Sequence, residues 1–228
     1  MRSSAASDVY KRQVRTEIGR PANLFYGYKA QGVFSTSAEA QAAGLYIHDD
    51  NGVDRTAFEA GDMHFADLDG DHFITEADRM VIGDPNPDIY GNIFTSVQYR
   101  RLRLDVRFNY SLGNDIYNYT RQQLESGSRF MNQTTALARR WQMEGQQTDI
   151  PRLSFQDPMG NSRFSDRWIE DGSYLRLKTV TLSYDLPVSS TFLQGLQFWV
   201  QANNVVTLTR YLGSDPEGTA LSAVLGQG

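Results

Sequence analysis

Leu102-Arg-Leu-Asp-Val-Arg-Phe-Asn-Tyr110 puts an apolar residue at every second position and a charged or amide residue between each pair. A period of two is that of a β-strand with one apolar and one polar face. Just upstream, Ile93, Thr95, Val97 and Tyr99 alternate with Ser96, Gln98 and Arg100, with Phe94 as the one exception. Tyr99 and Leu102 both fall on apolar faces, so Arg100-Arg101 is expected to form a two-residue hairpin turn that keeps the faces in phase.

Strands return after residue 171. In 173–186, Leu175 and Leu177 hold one parity while Val180, Leu182, Tyr184 and Leu186 hold the other. A bulge near Lys178 would re-phase the apolar face. A short turn is expected over 187–195. Beyond it Leu196, Phe198, Val200, Ala202, Val206 and Leu208 share a parity against Gln197, Trp199, Gln201, Asn203 and Thr207. These runs exceed the usual five or six residues and approach the roughly nine to eleven that cross a membrane. In water the pattern means a sandwich or solvent-facing sheet. In an outer membrane it means lipid on one side and a wet lumen on the other, and Arg103, Asp105 and Arg107 suit the lumen.

Composition keeps both options open. The 228 residues are 40% hydrophobic, 21% charged and 12% aromatic, which describes a folded chain rather than a disordered one. A net charge of -5, with no basic concentration, argues against a nucleic-acid partner. The chain has no cysteine, so it carries no disulfide or thiolate chemistry of its own. It contains no apolar run near the roughly 18 residues of a membrane helix, a criterion that does not bear on barrels. Residues 1–18 are expected to be a non-native or poorly ordered leader, since Met1 to Gln13 has no signal-peptide apolar stretch.

Elsewhere the signals are shorter. Residues 21–34 are aromatic and punctuated by glycine, as short strands or packed turns are. Residues 37–43 suit a helix with Ser37 as N-cap. His48 with Asp49 and Asp50, and separately His64, are taken as parts of solvated loops rather than metal sites. Two prolines make 82–88 an extended connector. Alternation stops over about 112–171, where only 134–144 suggests a helix, with Leu137 and Trp141 on one face; such length implies a functional loop.

Asp67-Leu-Asp-Gly-Asp-His-Phe-Ile-Thr-Glu-Ala-Asp78 is the densest chemistry in the chain. Asp67, Asp69, Asp71 and Asp78 stand at positions one, three, five and twelve of a calcium-type loop. The Phe73 carbonyl stands at seven, and Thr75 at nine can act through water. The crowded carboxylates repel one another unless a hard cation neutralises them. His72 occupies position six, where the motif uses glycine for its sharp turn. The alternative is an acidic surface turn with Thr75 as a helix N-cap.

Four segments, in order, resemble the SusC/RagA-type TonB-dependent transporters of the Bacteroidetes outer membrane. They are the acidic loop with Arg79-Met-Val-Ile-Gly-Asp-Pro-Asn-Pro-Asp-Ile-Tyr-Gly91, then Gly113-Asn-Asp-Ile-Tyr-Asn118, then Ile169 to Pro187, then Ala202 to Glu217. The resemblance implies an all-β fold: an antiparallel transmembrane β-barrel of about 22 strands with a plug and long extracellular loops. It implies import of glycans or oligopeptides, energy from TonB, and a SusD-like surface lipoprotein as partner. Against the family pattern this chain lacks a TonB box, plug and final aromatic strand, so it is expected to be a C-terminal part, with 19–228 the partial barrel. A few strands cannot close a barrel, and the chain alone is expected neither to insert nor to transport. With 187–195 and Arg100-Arg101 as periplasmic turns, the acidic loop and about 112–171 lie outside.

The alternative from another class is a soluble, dockerin-like calcium-binding module, against which stands the absence of a second such loop. No enzymatic activity is assigned, because no G-x-S-x-G, H-E-x-x-H or P-loop pattern occurs. Trp168, Tyr174 and Trp199 are weak candidates for stacking on substrate, with membrane-interface anchoring as the competing explanation.

Overall fold

A computed structural model describes residues 13–48, 54–188 and 195–218. Residues 1–12 of the expected leader, Asp49 and Asp50, and 189–194 of the expected turn lie outside the described residues. The chain divides into two compact units, one built from the segments up to Pro85 and from Tyr117–Glu170, the other from Asn86–Ile116 and Asp171–Glu217.

The first unit contains seven short strands: β1 (Val14–Arg15), β2 (Leu24–Tyr28), β3 (Ala30–Val33), β4 (Tyr46–His48), β5 (Arg55–Ala57), β6 (Met63–Phe65) and β7 (Arg79–Gly83). They form the antiparallel ladders β1-β2-β7, β3-β6 and β4-β5. Helix α1 (Ser37–Ala43) starts one residue earlier than the expected cap: Thr36, not Ser37, is the N-cap and accepts from the Glu39 amide. The Glu39 carboxylate reaches back to the Ser35 amide and hydroxyl, each at 2.8 Å. Gly44 ends the helix at φ 60°.

Phe34, Leu45, Phe58, Met63, Phe65 and Ile74 make one core, and Phe25, Tyr117, Phe164 and Trp168 another. The second core explains why 117–170 is not an open loop: it contributes Tyr117, Phe164 and Trp168, while Met159 enters the first. Only α2 (Tyr119–Glu125) is an α-helix there. The helix expected over 134–144 is a 3-10 turn at Thr135–Arg139, with Leu137 alone buried and no side-chain cap at Thr134. His64 belongs to β6 and stacks on Phe34 at 4.4 Å, and His48 belongs to β4 and stacks on Phe73 at 4.3 Å. Neither is the solvated loop residue expected, because each ring covers a phenyl face.

The second unit is dominated by four long strands. These are β8 (Ile89–Tyr99), β9 (Leu102–Leu112), β12 (Tyr174–Leu186) and β13 (Leu196–Thr209), with the short β10 (Asp115–Tyr117) and β11 (Ile169–Asp171) between β9 and β12 in the chain. They form one antiparallel sheet ordered β13-β12-β9-β8. Tyr99 pairs with Leu102, so Arg100-Arg101 is the two-residue turn, with Arg100 at φ 56°. The register of β12 shifts between Leu177 and Thr179 against both neighbours, which places the expected bulge at Lys178.

Candidate functional site

The bulge decides what the sheet presents. Val97, Leu104, Leu182 and Val200 stand directly across from one another in four successive strands, and so do Ile93, Phe108, Leu177 and Val206. Those two rows lie on opposite sides of Lys178, so without it Leu177 would point away from Leu182. The apolar side is exposed: Val200 is 73% accessible, Leu208 62% and Phe198 58%. A continuous apolar face of this extent is not left open to water.

The other side is polar in the same rows: Ser96, Asp105, Thr181 and Gln201, then Gln98, Arg103, Ser183 and Trp199. Arg103 and Asp105 are ion-paired on it at 3.0 Å. Toward the β12 N-terminus, Arg176 is buried and binds both Asp215 and Glu217, while Lys178 meets Glu217 at 2.7 Å and Asn109 donates to it at 3.2 Å. The hydrogen bond from Lys178, followed by that from Asn109, holds Glu217 below the usual carboxylate range against desolvation. The segment after β13 is thereby clamped to the polar side of the sheet.

In the first unit, Asp67, Asp69 and Asp71 converge with carboxylate oxygens within 4.8 Å of one another. His72 takes φ 66°, the left-handed turn that the loop motif assigns to glycine, and Gly70 takes φ 77°. The Asp67 carboxylate accepts from the Gly70 amide at 2.7 Å and the His72 amide at 2.9 Å. Desolvation raises its pKa, but those amides outweigh it and leave the group below the ordinary range. Asp69 moves the other way: the Asp71 amide lowers it, and desolvation with the charges of Asp71, Asp78 and Asp67 raises it further. Asp71 Oδ1 accepts from the Phe73 amide at 2.7 Å, so each carboxylate keeps lone pairs free and the three fit a hard cation.

Asp78 departs from the expected ligand set. It is fully buried, with one oxygen accepting from the Leu68 amide at 2.8 Å and the other from the Thr75 amide at 2.7 Å, and it does not join the three-carboxylate group. Thr75 caps the 3-10 turn Glu76–Asp78, so these two residues staple the loop's end. The Phe73 amide is tied to Asp71, and its ring is sandwiched near His48 and Tyr46.

No family model matches the chain. Among characterised proteins, TonB-dependent receptor P3 of Formosa agariphila is 34% identical over 211 residues, covering 90% of this chain and 20% of that receptor. TonB-dependent receptor P26 of the same organism is 28% identical over 208 residues, with the same two coverages, 90% and 20%. The solved structure of the RagAB peptide transporter matches 90% of this chain and 21% of its own at a TM-score of 0.69 and 25% identity. The chain belongs to the TonB-dependent receptors. It spans about a fifth of the length of the curated relatives it matches. Its likeness within the family is to the SusC/RagA type, and the matched relatives are receptors and transporters, not enzymes.

Membership in the TonB-dependent receptors gives the two-faced sheet its meaning as a stretch of barrel wall, with β8 and β13 each paired on one side only among the described residues. It also sorts the aromatic candidates. Trp168 is fully buried, its indole donating to the Arg163 carbonyl at 3.1 Å, so it is a core residue with no face to offer a substrate. Tyr174 and Trp199 pair with Thr209 and Ser183, in the polar rows of this receptor sheet, and Trp199 is exposed there. Trp199 therefore faces away from the apolar side on which an interface anchor would sit.

Two arrangements of this receptor segment escape sequence reading. Arg176 with Asp215 and Glu217 joins positions about forty residues apart, and its only linear trace is Asp-Pro-Glu following the last long strand. Asp62 with Arg152 joins positions ninety residues apart and has no linear trace at all.

Proposed function

We propose that this chain is part of an outer-membrane active transporter that imports glycans or oligopeptides, drawing energy through TonB and working with a SusD-like surface lipoprotein. The observation that carries this is the sheet itself. Its four strands of 11, 11, 13 and 14 residues are long enough to cross a bilayer, with an exposed aliphatic face opposite a face of Arg, Asp, Gln and Thr. Outer-membrane lipid would cover the first face and the water-filled lumen the second. The RagAB likeness supports a lipoprotein partner, since that solved assembly is a two-component peptide transporter. The soluble dockerin-like alternative does not explain a receptor match covering 90% of the chain.

The test is uptake by cells carrying the full-length receptor. Uptake of a labelled oligopeptide or glycan pool should require both the receptor and TonB. Equal uptake after deletion of either overturns the proposal.

Asp67, Asp69 and Asp71 would hold a calcium ion that stiffens an external loop rather than one that signals. The convergence of their carboxylates and the left-handed turn at His72 support this. The ion would supply only charge neutralisation; Asp78 and Thr75 already fix the end of the loop.

A further inference from the structure

Residues between 128 and 163 of the first unit line an open cavity of about 640 Å³ that none of the roles above uses. That volume falls in the range of small-ligand pockets. Phe130 and Phe155 stand at its mouth with ring centroids 5.1 Å apart and planes tilted by 33°, and they are 95% and 59% accessible. Two phenyl rings held together in the open form an apolar wedge with no hydrogen-bonding atom. The backbone beneath them is strained: Gln156 at φ 63° and Asp157 at φ 50° are consecutive left-handed residues without the freedom of glycine. Such strain collects at ligand clamps when surrounding bonds over-determine it. Here the Gln156 amide donates to the Ser128 carbonyl at 2.9 Å and Asp157 Oδ1 accepts from the Asn161 amide at 2.7 Å.

The lining is unevenly charged. Arg129 is exposed and makes no ion pair among the described residues. Arg163, by contrast, is engaged by the fold: it donates to the carbonyls of Gly160 and Met159, at 2.9 and 2.8 Å, and its guanidinium lies over the Tyr28 and Phe65 rings at 4.9 Å each. The one acid in the lining, Asp157, already accepts from Asn161 and from both the amide and the hydroxyl of Ser162. Two guanidinium groups thus line the cavity against one carboxylate, and Arg129 is the exposed one, beside the apolar pair.

We propose that this cavity is a subsite for an acidic oligopeptide, taking a carboxylate at Arg129 and an apolar side chain against the Phe130–Phe155 pair. The two rings touch at a tilt and present an uneven apolar surface, which suits an apolar side chain packed against it better than a sugar, which stacks flat on one face and uses polar contacts at its rim. The proposal rests on the import reading above and names the substrate class at one site of it.

Binding is measured by calorimetry on the purified full-length receptor, separately from its insertion in the outer membrane, so that loss of the subsite and failure of the transport reading are distinguishable. The probe is a capped hexapeptide with a central Glu-Phe pair, beside its Gln-Phe counterpart and a uronic-acid oligosaccharide. The expected result is that the Glu peptide binds the wild type, that the Gln peptide binds about tenfold more weakly, and that Arg129→Gln and Phe130→Ala each weaken the Glu peptide about tenfold. Both substituted residues are exposed, and unchanged amide exchange in 150–161 checks that the variants fold. Glu-peptide affinity unchanged in both variants, no peptide binding by the wild type, or binding of the oligosaccharide alone would overturn the proposal.

Discussion

Asp62 and Arg152 meet through two parallel hydrogen bonds, Nε to Oδ1 at 2.8 Å and Nη2 to Oδ2 at 2.9 Å. Asp62 is fully buried and also accepts from Asn161 Nδ2 at 2.9 Å and from the Glu59 amide at 2.9 Å. Every acceptor direction of a charge removed from water is therefore filled, which is the condition under which a buried carboxylate is tolerated. Arg152→Ala would leave that charge uncompensated, at about 3 kcal/mol, the low end for a buried pair because Arg152 is itself a third exposed. The receptor is too large for a single unfolding transition, so the measurement is amide hydrogen exchange in 59–62 and 150–161. Protection there should fall by about two orders of magnitude. Unchanged protection would mean that the pair does not hold these segments together.

Lys178 sets the phase of the sheet. Deleting that one residue should turn Leu175 and Leu177 to the polar side and Arg176 to the apolar side, while Lys178→Ala keeps the backbone count and the phase. The full-length receptor lacking Lys178 is expected to be lost from the outer membrane, and Lys178→Ala to assemble. Normal assembly of the deletion would show that the bulge is dispensable.

Much of this sheet was legible in the chain because alternation is a local signal. Leu102 to Tyr110 reports its strand without help, and the parity break between Leu177 and Val180 reports the bulge. In the first unit the helix over 37–43 and the acidic loop were legible but the packing was not, for a physical reason: its contacts join distant positions. Trp168 looked like an available ring until Phe25, Tyr117 and Phe164 closed around it. Asp78 fitted position twelve of a metal loop, yet the amides of Leu68 and Thr75 take its oxygens. The cap at Thr36 and the short 3-10 turn at Thr135–Arg139 mark the ordinary imprecision of helix ends, where one hydrogen bond decides.

His64 makes the first unit sensitive to acid. Burial, opposed by the charge of Glu39, pushes its imidazole below the ordinary value of 6.5. The folded state thus resists the proton more than the unfolded state does. The stability involved is present above pH of about 6.5 and is lost as pH falls from there toward the folded value. Exchange protection of β3 and β6 should decrease between pH 7.5 and 5.5, and His64→Gln should flatten the change. An identical pH profile in the variant would contradict this.

Gly61 stands at φ 87°, and a side-chain carbon there would run into the Trp141 ring. Gly61→Ala combines a left-handed conformation with a steric clash and should destabilise the unit by more than about 1 kcal/mol. Trp141→Ala in the same background relieves the clash alone and should recover part of the loss in exchange protection; no recovery would place the whole effect in the backbone.

Calcium at the acidic loop should protect the 67–78 amides of the receptor from exchange. Magnesium at equal concentration should do less, since the smaller ion gives up its water reluctantly. Asp69→Ala should remove the calcium effect, whereas an equal response in that variant would place the ion elsewhere.

Whether one side of the four-stranded sheet faces lipid is read by parity labelling. The chain contains no cysteine, so single cysteines at Val200 and Gln201, adjacent on β13 and opposite in face, can be labelled in the full-length receptor once other cysteines are absent. After reconstitution with brominated lipid, a fluorophore at 200 should be quenched and one at 201 should not, with the same contrast at 97 and 98 on β8. Equal quenching at both positions, or quenching at 201 alone, would contradict the account.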